Sequence, residues 1–410
     1  MPRLLGCCLV LTVLATGAVR AEESAPPAEA SAPAKDVGDV WRLLRHKEAA
    51  DLDRPADSES HRRFLVIAPS IGSKPSTGLT GGFSGNMAFC RGDPATTHIS
   101  SISGGFRISQ KKQTLGGLKF AMFTQDDRWF IQGDARLSFT SQNTYDLGTQ
   151  TLPGSSENIE YTQRRLYETV YRRVAPRLYV GAGLNVSDHS NIRPSSVALP
   201  WDQSAYVTYT QAHGFPLSGQ SSGGTSVGML FDTRDNAINA QRGSMASATY
   251  RSFFDGFLGG DSSWQELYVD LRTYRTLSHS GRQKLAFWFQ EDRVTSGAAP
   301  YLDLPATAAN DRSARGYGEG RYRGDHLVYG EVEYRGALTK GGLLGFVAFL
   351  NTTTIGSEET GEKVFDSFAP GAGLGMRVLL NKRSRTNLCT DYGWGKHGSR
   401  GFYLAIQEAF

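Results

Sequence analysis

Residues 266–274, ELYVDLRTY, alternate between apolar and polar side chains over their whole length. Leu267, Val269 and Leu271 fall on one parity, and the other parity carries both signs of charge. A strand turns successive side chains to opposite faces, so this stretch predicts a strand with one apolar and one polar face.

Segments with the same pattern recur from Phe64 to Phe410, and many run ten to fifteen residues. Strands of soluble sandwiches are usually about five or six residues long, whereas strands that cross a membrane need about ten. We place sixteen segments, an even number as bacterial outer-membrane barrels require. They begin near residues 64, 78, 98, 115, 128, 160, 177, 223, 241, 263, 283, 326, 341, 368, 385 and 400.

The connections between these segments are asymmetric. Three on one side are long, at residues 141–159, 189–222 and 295–325, while those on the other side are short, such as 175–176 and 278–282. Outer-membrane barrels have long extracellular loops and short periplasmic turns. We therefore predict an all-β fold: a 16-stranded antiparallel transmembrane β-barrel over residues 64–410, preceded by a short helical segment.

The composition excludes several other classes of protein. The mean hydropathy of -0.35 is too polar for a bundle of membrane helices. The 410 residues include 47 Gly, 17 Tyr and 21 Phe, which favours many strands. The net charge is only +4, without a block of like charges, so we expect no nucleic-acid partner.

The amino-terminal region carries targeting signals. Residues 1–21 combine Arg3, an apolar run and a small-residue ending, which predicts a signal peptide cleaved after Ala21. A lipoprotein signal ending at Cys7 is the alternative. Residues 22–63 are predicted to be a periplasmic linker with an amphipathic helix at 36–52, N-capped by Asp39, which covers or enters the periplasmic mouth.

Catalytic and metal-binding patterns were not found. The histidines show no metal-ligand spacing, and no Gly-x-Ser-x-Gly occurs. The sequence therefore predicts no enzyme, no metal and no cofactor. Cys90 and Cys389, which remain after signal cleavage, could form one disulfide or stay as two free thiols.

Three motifs, in order, carry a family resemblance: FDTRDN at 231–236 leading to Arg242-Gly243, then Arg315-Gly316-Tyr317, then the last strand. Together they resemble the BamA/TamA superfamily of sixteen-stranded outer-membrane barrels, also called the bacterial surface antigen family. The resemblance covers residues 64–410. It implies a strand-turn motif between strands eight and nine, formed by Asp232, Arg234, Asp235, Asn236 and Gly243. Ala237 and Ala240 stand where the family usually has prolines in this turn.

The resemblance also implies that the loop near 295–325 folds into the lumen and carries Arg315, Gly316 and Tyr317 at its tip. A guanidinium in a confined lumen needs carboxylate partners. The candidates are Glu333, which matches the acidic position of the family best, Glu331 and Asp391. Asn351 stands where relatives often carry a carboxylate, so we expect a less tightly held loop.

The last strand ends in a pattern that resembles the sorting signal of bacterial outer-membrane proteins. Phe402, Leu404, Ile406 and Phe410 share one parity, and Glu408 departs from the usual apolar residue. The resemblance therefore implies the outer membrane of a Gram-negative cell as the location.

The implied function is that of a barrel-only relative of outer-membrane assembly factors, because residues 22–63 are too short for a POTRA module. Such a protein would insert or move proteins or lipids by opening the seam between its first and last strands. We expect a monomer whose partners are outer-membrane lipids and, as further candidates, unfolded outer-membrane proteins or a periplasmic protein. The alternative is a passive diffusion pore or a structural surface protein.

Overall fold

The computed structural model describes residues 34–44, 63–74, 78–152, 154, 156–196, 200–278, 280–309 and 312–410. The predicted signal peptide and most of the predicted linker, including residues 45–52 of its helix, lie outside these ranges.

Sixteen antiparallel strands form a closed barrel in which each strand pairs with its neighbours in the sequence and β1 adjoins β16. The predicted fold is confirmed. The largest error in a predicted start is at β8, placed near 223 and observed from Gly219. The strands are β1 (Phe64–Lys74), β2 (Gly78–Phe89), β3 (Ser100–Ser109), β4 (Thr114–Phe123), β5 (Trp129–Thr144), β6 (Glu157–Ala175), β7 (Leu178–Ser196), β8 (Gly219–Asp232), β9 (Gly243–Phe253), β10 (Trp264–Thr276), β11 (Gln283–Gly297), β12 (His326–Ala337), β13 (Leu344–Gly356), β14 (Ala369–Asn381), β15 (Thr386–Gly395) and β16 (Arg400–Ile406).

Along the strands, apolar side chains face the outer wall and polar side chains face the lumen in alternation. On β10, Glu266 and Asp270 are buried inside the barrel, whereas Leu267 and Leu271 have the opposite parity. Large apolar side chains such as Leu65 are exposed on the outer wall. Because the closed ladder pairs strand with strand around the barrel, few backbone groups are presented unpaired to hydrocarbon.

Long loops cluster at one end of the barrel, which we call the long-loop end; the other is the short-turn end. The loop between β7 and β8 contains helix α2 (Ala205–Ala212), N-capped by Ser204, whose Oγ accepts from the Val207 N–H at 3.3 Å. The Tyr209 hydroxyl donates to the Ala299 carbonyl at 2.9 Å, in the loop between β11 and β12. The loops therefore hold one another over the lumen.

Helix α1 (Val37–Leu44) lies at the short-turn end. Its N-cap is Asp36, and the prediction of Asp39 was wrong by one helical turn. The backbone N–H of each aspartate donates to the carboxylate of the other, at 3.0 and 2.9 Å, as in a capping box. Lys382 Nζ, in the β14–β15 turn, lies 3.0 Å from Asp39 Oδ2 and fixes the helix to the rim. The role of this helix at the mouth stays a prediction.

Among the described residues, no helix is long and apolar enough to cross a membrane.

The two cysteines are free thiols in this structure. Cys90 follows β2 at the short-turn end and is partly buried, whereas Cys389 is buried in β15. Of the two alternatives that the sequence left open, the structure shows the unpaired one.

Candidate functional site

Loop 6 joins β11 to β12, and its described residues, 298–309 and 312–325, fold into the lumen and bring Arg315 against the wall formed by β12–β15. Arg315 is only 3% exposed. Its guanidinium bonds Glu331, Glu333 (2.5 Å) and Asp391 (2.6 Å). The structure thus brings all three predicted acidic residues to the predicted arginine.

An aromatic ring completes this site. The Arg315 guanidinium carbon lies 3.7 Å from the centroid of the Phe349 ring on β13. A delocalised guanidinium suits such a place, because its edge binds carboxylates while its face stacks on the ring. Arg315 is therefore held both by charge and by packing.

The electrostatic balance of the site keeps Arg315 charged. Burial alone would lower the pKa of its guanidinium, but the carboxylates of Glu331, Glu333 and Asp391 outweigh burial and raise this pKa well above the ordinary value. A permanently charged buried arginine of this kind is a fixed anchor.

Two further arginines balance the carboxylates. Arg335 Nε lies 2.6 Å from Glu333, and Arg377 Nη1 lies 2.6 Å from Asp391. Arg377 Nε also pairs with Glu408 at 2.7 Å, close to the end of the sequence. We call this set the lumen cluster; its members are Arg315, Glu331, Glu333, Arg335, Arg377, Asp391 and Glu408.

Gly316 and Tyr317 fit loop 6 against β14–β16. Gly316 has a φ of +113°, a backbone conformation that favours glycine. The Tyr317 hydroxyl donates to the Pro370 carbonyl at 2.5 Å and accepts from the Lys396 N–H at 2.9 Å. A Cβ on Gly395 would lie 2.6 Å from the Tyr317 ring, so the glycine makes room for that ring.

Asn351 stands at the position where the family resemblance implied a carboxylate, and it contacts the backbone of Arg315. Its Nδ2 donates to the Arg315 carbonyl at 3.3 Å and to Glu331 Oε2 at 3.4 Å. The guanidinium itself is bound by Glu331, Glu333 and Asp391 instead. The amide therefore fixes the backbone of the loop tip, and the expectation of a less tightly held loop stays a prediction.

The strand-turn motif braces the connection between β8 and β9. Asp232 accepts from Arg234 Nη2 at 2.7 Å, and Asn236 Oδ1 accepts from two backbone N–H groups within the turn. Asp235 bonds Arg385 at 2.6 Å, from the β14–β15 turn. Gly243 has a φ of +98°, and a Cβ there would lie 2.2 Å from a backbone oxygen. Side-chain bonds thus brace a turn that lacks the usual prolines.

The end of the chain departs from the predicted pattern. Phe402 and Leu404 lie on β16, but the strand ends at Ile406, and Gln407 has a φ of +79°. The expectation of a single strand parity through Phe410 was therefore wrong. A straight strand would place Glu408 on the same parity as the other sorting residues, facing lipid, whereas the turn at Gln407 lets it pair with Arg377.

The last residues form an inward segment, 407–410, which we call the tail. The side chain of Phe410 is buried, 5.1 Å from Trp288 between ring centroids. The Phe410 main-chain oxygen accepts from Arg335 Nη2 at 2.8 Å. Arg312 of loop 6 donates to the Glu408 carbonyl, so the tail contacts both the wall and loop 6.

A cavity of about 430 Å³ lies between loop 6, the tail and the wall of β4–β11. Charged side chains line much of it, and they include Arg136, Arg165, Arg251, Glu266, Asp292 and Arg323. A polar interior of this kind is common in outer-membrane barrels.

Sequence reasoning missed Arg335, Arg377 and Glu408. The alternation on β12 already placed Arg335 on the face of Glu331 and Glu333. The sequence identifies Glu408 only as an exception to the sorting pattern. An acid at an otherwise apolar position was the available signal for a buried cationic partner.

No family model matches the sequence, and no curated protein matches it either. Solved structures do match. BamA from Haemophilus ducreyi, lacking POTRA domains 1–3, has a TM-score of 0.55 at 12% identity, over 84% of this chain and 70% of that one. CdiB from Acinetobacter baumannii has a TM-score of 0.53 at 11% identity, over 84% of this chain and 59% of that one.

CdiB from Escherichia coli is similar as well, with a TM-score of 0.52 at 10% identity, over 83% of this chain and 62% of that one. This chain thus spans 59% and 62% of the two CdiB chains. At these identities the similarity shows the fold. The resemblance to BamA-type barrels is confirmed at that level.

Proposed function

We propose that this protein is an outer-membrane assembly or translocation factor that inserts or moves proteins or lipids through the seam between β1 and β16. The observation that carries the proposal is the weakness of that seam. Within the described residues, its register consists of a single pair, Ser73 opposite Phe402. The other edge of β1 pairs with β2 along its whole length, from Phe64 to Lys74.

The sequence of β1 favours weak pairing with β16. Pro69 has no N–H to donate to a ladder, and proline is tolerated best in a weakly paired edge strand. Leu65 and Ile67 are 65% and 66% exposed on the outer wall. A strand with unpaired backbone groups at a lipid-facing edge can accept another strand by β-augmentation.

The turn after β16 is the second structural cause. Because Gln407 directs the tail inward, residues that could extend the ladder toward Phe64 are engaged in the lumen instead. The tail is bound on the lumen side and does not pair with β1. Few hydrogen bonds therefore have to break when the seam between β1 and β16 opens.

The alternative function, a passive pore, is favoured by the polar cavity of about 430 Å³. The position of loop 6 argues against an open pore, because four of its residues are buried within the lumen: Ala306, Thr307, Arg321 and Arg323. A channel would need this loop to leave. The proposal includes no catalytic step.

Reconstitution tests the proposal. The mature protein is placed in phospholipid vesicles, a small urea-unfolded outer-membrane barrel is added, and its folding is followed by heat-modifiable gel mobility. An unrelated closed porin at the same protein-to-lipid ratio controls for packing defects. We expect faster folding than with the porin. Folding at the porin rate, together with leakage of small solutes from the vesicles, would contradict the proposal and favour a pore.

A further inference from the structure

Four arginines lie together on one arc of the short-turn end. They are Arg128, which precedes β5, Arg172 and Arg173 near the end of β6, and Arg177 in the β6–β7 turn, and all four are exposed. We call them the rim arginines.

The backbone brings these residues together. Trp129 is the register partner of Arg172. The Arg173 N–H donates to the Arg128 carbonyl at 3.0 Å, which joins the turn before β5 to the end of β6. The Arg177 carbonyl accepts from the Asp232 N–H at 3.0 Å. The arc is therefore a fixed feature of the barrel wall.

The described structure shows no acidic partner for the rim arginines. Among the described residues, none of the four forms an ion pair within 4.0 Å. Two nearby carboxylates are engaged elsewhere, since Asp127 bonds His98 at 2.5 Å and Asp232 bonds Arg234 at 2.7 Å. Within the described part of the chain, the arc thus presents positive charge that no ion pair neutralises.

Arg172 also lies on the lipid-facing side of β6. It shares parity with Val170 and Val174, which are 39% and 58% exposed, whereas Tyr171 packs inside the barrel. Its guanidinium lies 5.7 Å from the ring centroid of Trp129, which is 43% exposed on the outer wall. Tryptophan is typical of the boundary between hydrocarbon and headgroups.

We propose that Arg128 and Arg172, the two rim arginines next to Trp129, bind the anionic headgroups of phospholipids in the adjoining leaflet, which is the periplasmic leaflet in the predicted orientation. A guanidinium binds phosphate oxygens through paired N–H groups. Acyl chains of the bound lipid pack on Trp129, Val170 and Val174, which continue the apolar outer wall. The position of Arg172 next to lipid favours a membrane lipid over an acidic protein.

Quenching of Trp129 fluorescence tests this site. The full chain is reconstituted in phosphatidylcholine bilayers that contain a small fraction of phosphatidylglycerol with brominated acyl chains. The signal of Trp129 is isolated by subtracting the Trp129→Phe variant. We expect phosphatidylglycerol to be enriched at least about fivefold around Trp129, since one arginine near an anionic surface contributes about that factor. The Arg128→Gln/Arg172→Gln variant should reduce this enrichment to the bulk ratio.

The matched control is Arg242→Gln/Arg275→Gln, which removes the same charge from exposed arginines elsewhere on the rim. It should keep the enrichment. Loss in both variants would show an effect of total charge and overturn the site, and so would equal quenching in wild type and the first variant. Displacement of the lipid by millimolar inorganic phosphate at constant ionic strength would identify a site for free phosphate and would also overturn the proposal. Heat-modifiable mobility verifies that each variant is a folded barrel.

Discussion

At the scale of single residues, Arg315 is the group that joins loop 6 to the barrel wall. Its carboxylate partners come from β12 and β15, and its stacking partner Phe349 comes from β13. One side chain thus connects three strands to the loop. Removing it would leave several buried acids with fewer cations, and an uncompensated buried charge is strongly destabilising.

We predict that Arg315→Ala lowers the free energy of unfolding by about 3–5 kcal/mol, the usual cost of breaking a buried ion pair from one side. The measurement is a urea titration in liposomes followed by tryptophan fluorescence. Arg193→Ala is the control, because Arg193 forms a 3.0 Å pair with Glu160 in which the two side chains are 72% and 44% exposed. That change should cost at most about 1 kcal/mol. Equal losses in the two variants would contradict the role of Arg315 as an anchor.

Prediction from sequence at this scale succeeded where a local motif existed. Arg315 and its acidic partners Glu331, Glu333 and Asp391 followed from the resemblance, and the structure brings them together. The pairing of Arg377 with Glu408 did not follow. It depends on a backbone reversal at Gln407, and nothing in the local sequence requires that reversal.

At the scale of structural elements, loop 6 approaches β15 so closely that only glycine fits between them. A Cβ on Gly393 would lie 2.8 Å from the Gly316 backbone nitrogen and 2.9 Å from the Arg315 carbonyl carbon. Both neighbours are backbone atoms, so the loop itself would have to move. The packing of loop 6 against β15 therefore depends on the absence of a side chain at Gly393.

We predict that Gly393→Ala displaces the tip of loop 6 and speeds hydrogen exchange of amides in residues 312–325. Gly330→Ala is the matched control, because Gly330 lies on β12 and a Cβ there meets no atom within 4 Å. Hydrogen exchange detected by mass spectrometry compares the two variants with the wild type. Unchanged exchange in Gly393→Ala would show that the contact does not hold the loop.

The strands were the most predictable elements, because a period of two residues is visible wherever one face meets lipid. β8 was placed too late because its first residues, Gly219–Ser222, are polar or small and show no alternation. The tail was mispredicted for the opposite reason. Phe410 falls on the apolar parity of β16, which suggested a continuing strand, whereas Glu408 pairs with Arg377 in the lumen.

At the scale of the whole molecule, the barrel is closed around a lumen that loop 6 and the tail fill in part. Strand number, antiparallel order and the side of the long loops all followed from the sequence. The strength of the seam did not, because it depends on the register between the first and last strands, which lie more than 300 residues apart. Pro69 was the one sequence signal of a weak edge, and the single pair Ser73–Phe402 agrees with it.

The most direct test of the account is to lock that seam. Ser73→Cys and Phe402→Cys are introduced at the register pair, in a background that carries Cys90→Ala and Cys389→Ala. A second variant joins β1 to β2 instead, through Ala68→Cys and Ser84→Cys, and serves as control. The vesicle assay measures folding of the added barrel under oxidising and reducing conditions. We predict that the oxidised seam variant loses the acceleration and regains it on reduction, while the β1–β2 variant keeps it in both states. Full acceleration with a verified disulfide across the seam would contradict the account.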